Sequence, residues 1–348
     1  MQHRIFADSL PLHRKEGTVS GGPDYCIFGV PFDGTSSFRT GSGNGPEAIR
    51  EASYNFESYL PTSDIDLVDL PIFDAGDVDE AATVETLMES IKMELQSIFS
   101  DHPNLFPIFI GGEHSLTPPA VEFLSLVMEK NRMVMENRVE KEEEKVVETE
   151  RNRVVVAENR VRMKKTKKQK EEKLGIIVLD AHMDMRDEYL GIPNSHACAA
   201  RRCSEIVGTP NIIPIGVRSY SWEEAEFFEP LRKEGEFSFF SSMDVKRRGA
   251  GDVAREAIER LRSNGCTKIY LSIDMDVFDP SEAPGVGNPE PGGLGYFDVM
   301  EIVEVVAPYL CGMDVVEVNP LYDKGITALL GAKILRETIG FHYRAGMK

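Results

Sequence analysis

Leu174-Gly175-Ile176-Ile177-Val178-Leu179 runs without a break into Asp180-Ala181-His182-Met183-Asp184. The apolar run is short and rich in β-branched side chains, the pattern of a strand buried on both faces of a parallel sheet. The segment after it carries two carboxylates and an imidazole at alternate positions. Side chains two apart on a strand point the same way. Extended geometry carried through this segment would therefore send Asp180, His182 and Asp184 to one side. Such a group is costly to bury unpaired at the end of a strand. A divalent cation is the simplest compensation; a polar cluster satisfied by its own neighbours is the alternative.

The same arrangement recurs along the chain. Residues 105–110 form an apolar run ending in Gly111-Gly112-Glu113-His114-Ser115. Residues 268–273 lead to Asp274-Met275-Asp276, again two carboxylates at two-residue spacing, and Asp314-Val315-Val316 leads to Glu317-Val318-Asn319-Pro320. Further strands are expected at 25–30, 70–74, 212–217 and 237–240. A helix is expected over about 83–99, where Val84, Leu87, Ile91, Leu95 and Ile98 recur at helical spacing. Others fall at 252–262, 297–307 and 325–342, and Pro46 with Glu47 suits the first turn of one more. Strands alternating with helices make an α/β protein with a mostly parallel sheet covered on both faces. In open sheets of that kind, sites lie at the carboxyl ends of strands. Taken singly, His114 reads as a cap, the Asp274/Asp276 pair as a turn and Glu317 as a salt-bridging strand end. Four strand ends bearing such groups reinforce one another. His114, Asp180, His182, Asp184, Asp274 and Asp276 exceed what one small cation needs from a protein. They suit two octahedral-leaning divalent ions with bridging carboxylates, and the oxygen-rich set favours manganese over zinc. Two close ions can hold a hydroxide at neutral pH.

Composition narrows the partners. The 348 residues carry 39 basic and 58 acidic side chains, a net charge of -19. Such a chain repels phosphate backbones, which argues against nucleic acid and for a cationic small molecule. The 5 cysteines are odd in number and contain no CxxC pair, as expected of reduced thiols in a cytoplasmic protein. Residues 1–17 lack the apolar core of a secretory signal. No apolar run approaches the roughly 18 residues of a membrane span. The loop bearing Gly41, Gly43 and Gly45 lacks the Gly-Lys-Ser/Thr of a phosphate-binding loop and reads better as a substrate loop. From 127 to 173 the composition changes: no Gly, no Pro, and 15 basic against 11 acidic residues, hence +4, which leaves the rest near -23. Asn-Arg elements repeat within it. The expectation is one domain over 1–348, interrupted at about 127–173 by a charged surface insertion, helical in part or disordered, without a catalytic role. A docking arm is the sharper alternative.

Pro31-Phe32-Asp33-Gly34-Thr35, Gly45-Pro46-Glu47-Ala48-Ile49-Arg50, Gly111-Gly112-Glu113-His114-Ser115, Asp180-Ala181-His182-Met183-Asp184, Ser272-Ile273-Asp274-Met275-Asp276-Val277-Phe278-Asp279-Pro280 and Glu317-Val318-Asn319-Pro320 occur in this order. Together they resemble the ureohydrolase (arginase/agmatinase) superfamily, its agmatinase branch most. The resemblance implies a three-layer α/β/α fold with a central eight-stranded, mostly parallel sheet, assembly as trimers or hexamers, and two manganese ions per subunit. It implies one ion on His114, Asp180, Asp184 and Asp274, and a second on His182, Asp180, Asp274 and Asp276, with Asp180 and Asp274 bridging. Glu317 would pair with the substrate guanidinium and His196 would carry protons. A metal-bridging hydroxide, its hydrogen bond accepted by Asp184, would attack the guanidinium carbon, and the tetrahedral intermediate would collapse to urea and an amine.

Substrate choice rests on the loop after Asp184. Asp187 and Glu188, turned inward, would repel a carboxylate and attract the ammonium of agmatine; Arg186 would do the reverse. The run 282–294 is also agmatinase-like, departing at Asn288 and Gly295, where Thr and Ser or Thr are usual. The expected activity is hydrolysis of agmatine to putrescine and urea. Arginase, another guanidino-acid ureohydrolase such as a guanidinobutyrase, or a regulatory homologue docking through the insertion are the alternatives.

Overall fold

In the computed structural model, which describes residues 5–11, 25–102, 104–130 and 172–347, the apolar runs become strands of one sheet. They are β1 (Leu10–Pro11), β2 (Tyr25–Val30), β3 (Ile72–Asp77), β4 (Phe106–Gly111), β5 (Leu174–Leu179), β6 (Ile212–Val217), β7 (Phe240–Ser241), β8 (Lys268–Asp274) and β9 (Leu310–Val316). Their spatial order is β1-β3-β2-β4-β9-β8-β5-β6-β7. Every adjacent pair is parallel. The sheet has nine strands where the resemblance implied eight; both edges, β1 and β7, are two residues long.

Alternation along the strands builds two cores. The helices are α1 (Gly45–Ser53), α2 (Val84–Asp101), α3 (residues 117–130), α4 (Ala199–Val207), α5 (Trp222–Glu234), α6 (Ser242–Arg248), α7 (Ala250–Ser263), α8 (Tyr296–Val306) and α9 (Ile326–Gly346). Tyr25, Ile27, Ile177, Leu179 and Ile273 pack with residues of α1, α6, α7, α8 and α9. Their sequence neighbours Cys26, Phe28, Ile176 and Val178 pack with α2, α3, α4 and α5. Each face of the sheet is thus covered by helices, which makes the three-layer α/β/α fold. Burying an aliphatic or aromatic side chain contributes roughly 1.5–3 kcal/mol, so these two cores fix the strand register far more than local propensity does. The Val84, Leu87, Ile91, Leu95 and Ile98 stripe is the buried face of α2. Thr83 caps its start, its hydroxyl accepting the Thr86 N–H at 3.3 Å.

The connection from β4 to β5 carries α3 and then residues 131–171, so the reading of an insertion over 127–173 falls almost wholly outside the described residues. Chain order and spatial order part company here. β8 and β9, late in the sequence, lie between β4 and β5. The four strands whose ends carry His114, Glu317, Asp274 and Asp180 are therefore consecutive neighbours, β4-β9-β8-β5, at the middle of the sheet. No helix among the described residues is long and apolar enough to cross a membrane.

Candidate metal centre

Each strand end delivers its side chain by a different local device. Asp180 follows β5 directly, and its Oδ1 accepts the His182 N–H at 2.6 Å. His182 still pairs in parallel with Ser219. Extended geometry stops there, because Asp184 has φ 51°. Alternation therefore does not bring Asp184 to the cluster, as the spacing alone predicts; a left-handed residue does. That conformation costs a non-glycine residue roughly 1–2 kcal/mol and is held in place by the Arg201 N–H, which donates to the Asp184 carbonyl at 2.9 Å. Asp276 likewise lies not on a strand but in a 3-10 turn, Met275–Val277. Asp274, the last residue of β8, caps that turn by accepting the Asp276 N–H at 2.9 Å. Glu317 is also left-handed, with φ 65°. Its N–H donates to the Gly112 carbonyl at 2.7 Å, and its Oε1 accepts the His114 N–H at 3.0 Å. The ends of β9 and β4 are thereby stitched together.

These devices converge. His114 Nδ1 lies 3.3 Å from Asp180 Oδ2, 3.2 Å from Asp184 Oδ2 and 3.3 Å from Asp274 Oδ2. His182 Nδ1 lies 2.9 Å from Asp276 Oδ2 and 3.8 Å from Asp180 Oδ1. The donors form two groups, His114/Asp180/Asp184 and Asp180/His182/Asp276, that share Asp180. Neither His114 Nδ1 nor Asp180 Oδ2 has a hydrogen-bond partner among the described residues, although both are buried. Buried polar atoms without partners are rare and call for an explanation. Two divalent cations supply one, since they ligate both kinds of atom.

The protonation of the protein alone tells the same story. Burial, then the Asp184 and Asp276 charges, pushes Asp180 up to about 8. Burial with Asp276 and Asp180 raises Asp274 well above the carboxylate range, and burial with Asp274 and Glu113 does the same to Glu317. Burial opposes the charged form of His182, yet the adjoining Asp276 lifts it to about 11. Burial opposes ionised Asp276 too, but His182 holds it below its usual value. Asp180, Asp274 and Glu317 hold on to protons, and both imidazoles gain them. Positive charge is what this cluster demands.

Side chains that the sequence reading did not single out support the ligands. The Nε2 of His114 lies 2.9 Å from Ser272 Oγ. Ser272 donates to Asp314 at 2.6 Å, and Thr117 and Tyr270 donate to the other Asp314 oxygen at 2.8 and 2.9 Å. Such outer contacts fix the orientation of a ligating imidazole. The signal was a carboxylate inside an apolar run: Asp314 is interior to β9 and fully buried. The Arg218 guanidinium donates to the carbonyls of Gly216, Asp276, Val277, Phe278 and Glu290 and so clamps the loop that holds Asp276. On the other side, Gly112 packs so closely on the Phe32 backbone that a Cβ there would sit 1.9 Å from the Phe32 carbonyl oxygen. That approach brings the 31–35 loop, with Thr35, against Glu113 and His196.

The cluster floors a cleft of about 310 Å³ lined by His182, Asp184, Asp274, Asp276 and Glu317, with His196, Arg186, Tyr189, Tyr220, Glu224, Ser37 and Asn288 around it. Glu317 and His196 thus face the same space as the candidate ligands. Asp187 and Glu188 do not line it. Asp187 is 72% exposed and bonds the Arg202 guanidinium at 2.9 Å, and Glu188 is exposed. Their assignment as substrate-binding residues is corrected on that ground: after the left-handed Asp184, the loop leads them to solvent and to α4. The acidic side chain that lines the cleft beyond the cluster is Glu224, buried and capping the start of α5. Its Oε2 lies 3.9 Å from Arg186 Nε.

The chain belongs to the Arginase family, whose profile matches residues 23–135 and 160–340. Within it, this is an agmatinase-like ureohydrolase, a hydrolase acting on guanidino compounds. It is 33% identical over 323 residues to the agmatinase of Pyrococcus horikoshii, covering 92% of this chain and 93% of that one. It is 32% identical over 319 residues to the N(1)-aminopropylagmatine ureohydrolase of Thermococcus kodakarensis, covering 91% and 90%. The crystal structure of the agmatine ureohydrolase of Thermoplasma volcanium superposes with a TM-score of 0.76 at 31% identity, covering 100% of this chain and 97% of that one.

Proposed function

We propose that the protein hydrolyses agmatine to putrescine and urea with two manganese ions. The observation that carries this reading is the pair of donor groups sharing Asp180, with Glu317 facing the same cleft. His114, Asp180, Asp184 and Asp274 would hold one ion; His182, Asp180, Asp274 and Asp276 would hold the other. When bound, the ions supply Lewis acidity and lower the pKa of a water to near neutrality. Glu317 pairs with the planar guanidinium, a geometry that carboxylates bind through two parallel hydrogen bonds. Asp184 accepts a hydrogen bond from the attacking water and orients it. His196, on the cleft wall, carries a proton to the departing amine nitrogen. Glu224 balances Arg186 on the cleft wall, so that wall does not repel the far ammonium of agmatine.

A guanidino acid is the second reading, and Arg186 on the cleft wall favours it. The 3.9 Å approach of Glu224 to that guanidinium offsets its charge. Urea release from agmatine, arginine and 4-guanidinobutyrate, measured with manganese present, tests the choice. Brisk turnover of agmatine is expected; turnover of one of the acids without turnover of agmatine would remove the leading reading. Assembly as a trimer or hexamer is proposed with it, and sedimentation of the purified protein checks that.

A further inference from the structure

Behind His196 stands a buried carboxylate that the reaction as outlined does not use. Glu113 is 1% exposed. It accepts the Thr35 N–H at 2.8 Å, the Thr35 hydroxyl at 2.6 Å, the Ser115 hydroxyl at 2.7 Å and the Ser36 hydroxyl at 3.4 Å. The Thr35 hydroxyl also meets His196 twice: it accepts the His196 backbone N–H at 3.0 Å and lies 3.1 Å from His196 Nδ1. A threonine hydroxyl has one proton to give and two lone pairs. Here the proton goes to the Glu113 carboxylate, the shortest and charge-assisted contact. One lone pair takes the backbone N–H. Only a lone pair is left for the imidazole, so Nδ1 must be the donor.

We infer that Glu113 and Thr35 are positioning residues that lock His196 as its Nδ1–H tautomer, leaving Nε2 as its basic nitrogen. The hydrogen bond on one ring nitrogen decides which nitrogen is free to move protons. Glu113 acts at one remove, by using up the single proton with which Thr35 could otherwise have bonded Nδ1. Tyr189 meets the ring edge-on at 5.9 Å between centroids. The rival donor is the Ser195 hydroxyl, 3.3 Å from Nδ1. It already accepts the Ala197 N–H at 3.4 Å as the cap of the next turn, but its own proton is uncommitted there. Donation from Ser195 would produce the opposite tautomer. The role given to the tautomer rests on the reading of His196 as proton carrier; the tautomer itself does not.

The test is the ring-nitrogen NMR spectrum of full-length protein labelled with 15N-histidine and loaded with zinc, a diamagnetic ion, the His196 signals being assigned by their loss in His196→Gln. A pyrrole-type Nδ1 and a pyridine-type Nε2 are expected, altered by Thr35→Val, restored by Thr35→Ser and unmoved by Ser195→Ala. In manganese-loaded enzyme, Thr35→Val should lower kcat by about tenfold to a hundredfold with little change in KM, and Thr35→Ser should recover most of it. A wild-type spectrum with Nε2 protonated overturns the inference, and so does a Thr35→Val spectrum that matches wild type. The wild-type spectrum needs no variant, so misfolding of Thr35→Val does not blunt the test. Full activity in His196→Gln alongside the expected spectrum would instead count against His196 as proton carrier.

Discussion

Asp180→Asn should separate what the metal ions need from what the fold needs. Asp180 is the residue common to both donor groups, and in the protein alone its carboxyl sits at about 8. At pH 7 without cations the neutral form is therefore favoured. Asparagine mimics that neutral form and keeps an oxygen for the His182 N–H, so metal-free stability should change by less than about 1 kcal/mol. The loaded protein differs, because the anion is then required at both sites. At a metal concentration of about 100 Kd, each ion stabilises the fold by about 2.7 kcal/mol. A loss of about a hundredfold in affinity leaves about 0.4 kcal/mol, so roughly 2.3 kcal/mol per ion disappears. Thermal unfolding with and without manganese, and metal content after dialysis, measure this directly. Asp184→Asn is the control, since Asp184 belongs to one group only and should cost one ion. Retention of two ions by Asp180→Asn, or loss of only the ion that Asp184→Asn loses, would refute the shared role.

Glu317→Gln should keep both ions but raise KM for guanidino substrates by roughly tenfold to a hundredfold, the worth of a charged hydrogen-bonded pair; an unchanged KM in steady-state kinetics would exclude the pairing. Ser272→Ala removes the partner of His114 Nε2 and should weaken metal binding about tenfold to a hundredfold by calorimetry, with unchanged affinity counting against the support role. The metal-free protein should lose stability as pH rises. Asp180 at about 8 keeps a proton that the unfolded chain sheds near 3.9, so its contribution declines between about pH 4 and 8. His182, lifted to about 11, acts in the same sense from about 6.5 upward. Melting temperatures in chelator at pH 5 and 8 check the sign, and a rise toward pH 8 would contradict it. Asp187→Ser and Glu188→Ser should leave KM within about twofold, because neither side chain reaches the cleft, and exposed pairs such as Asp187–Arg202 contribute little.

Much of this was legible in the chain because strand ends are written locally. An apolar run followed by Asp or His marks both a buried strand and the point where it leaves the core, which is why β4, β5, β8 and the end of β9 could be read with their side chains. The α2 stripe was readable for the same reason: helical spacing and burial are one fact. Spatial order was not legible, since nothing local says that β8 and β9 lie between β4 and β5. Nor was the direction of the 185–190 loop, which turns on the left-handed backbone of Asp184; side-chain spacing assumes a regular backbone and fails where the backbone departs from it. Ser272 looked like an ordinary strand position, and the buried Asp314 named no partner, because the two lie on neighbouring strands, 42 residues apart in sequence.

The strand order has a consequence for how the molecule comes into being. β4 and β5 leave a synthesising ribosome with two strand places between them that only β8 and β9 can fill. Until those arrive, each half-sheet has a bare edge of unpaired backbone, the kind of surface that invites pairing with another chain. His114 and Asp180 stand on opposite sides of that gap. The candidate ligand set is thus completed only by the last third of the chain, when β8 and β9 close the sheet and bring His114 beside Asp180. The charged stretch between 131 and 171 lies in the connection that already bridges the two halves, so a chain severed there would yield two pieces, each carrying part of the ligand set and a strand edge complementary to the other's.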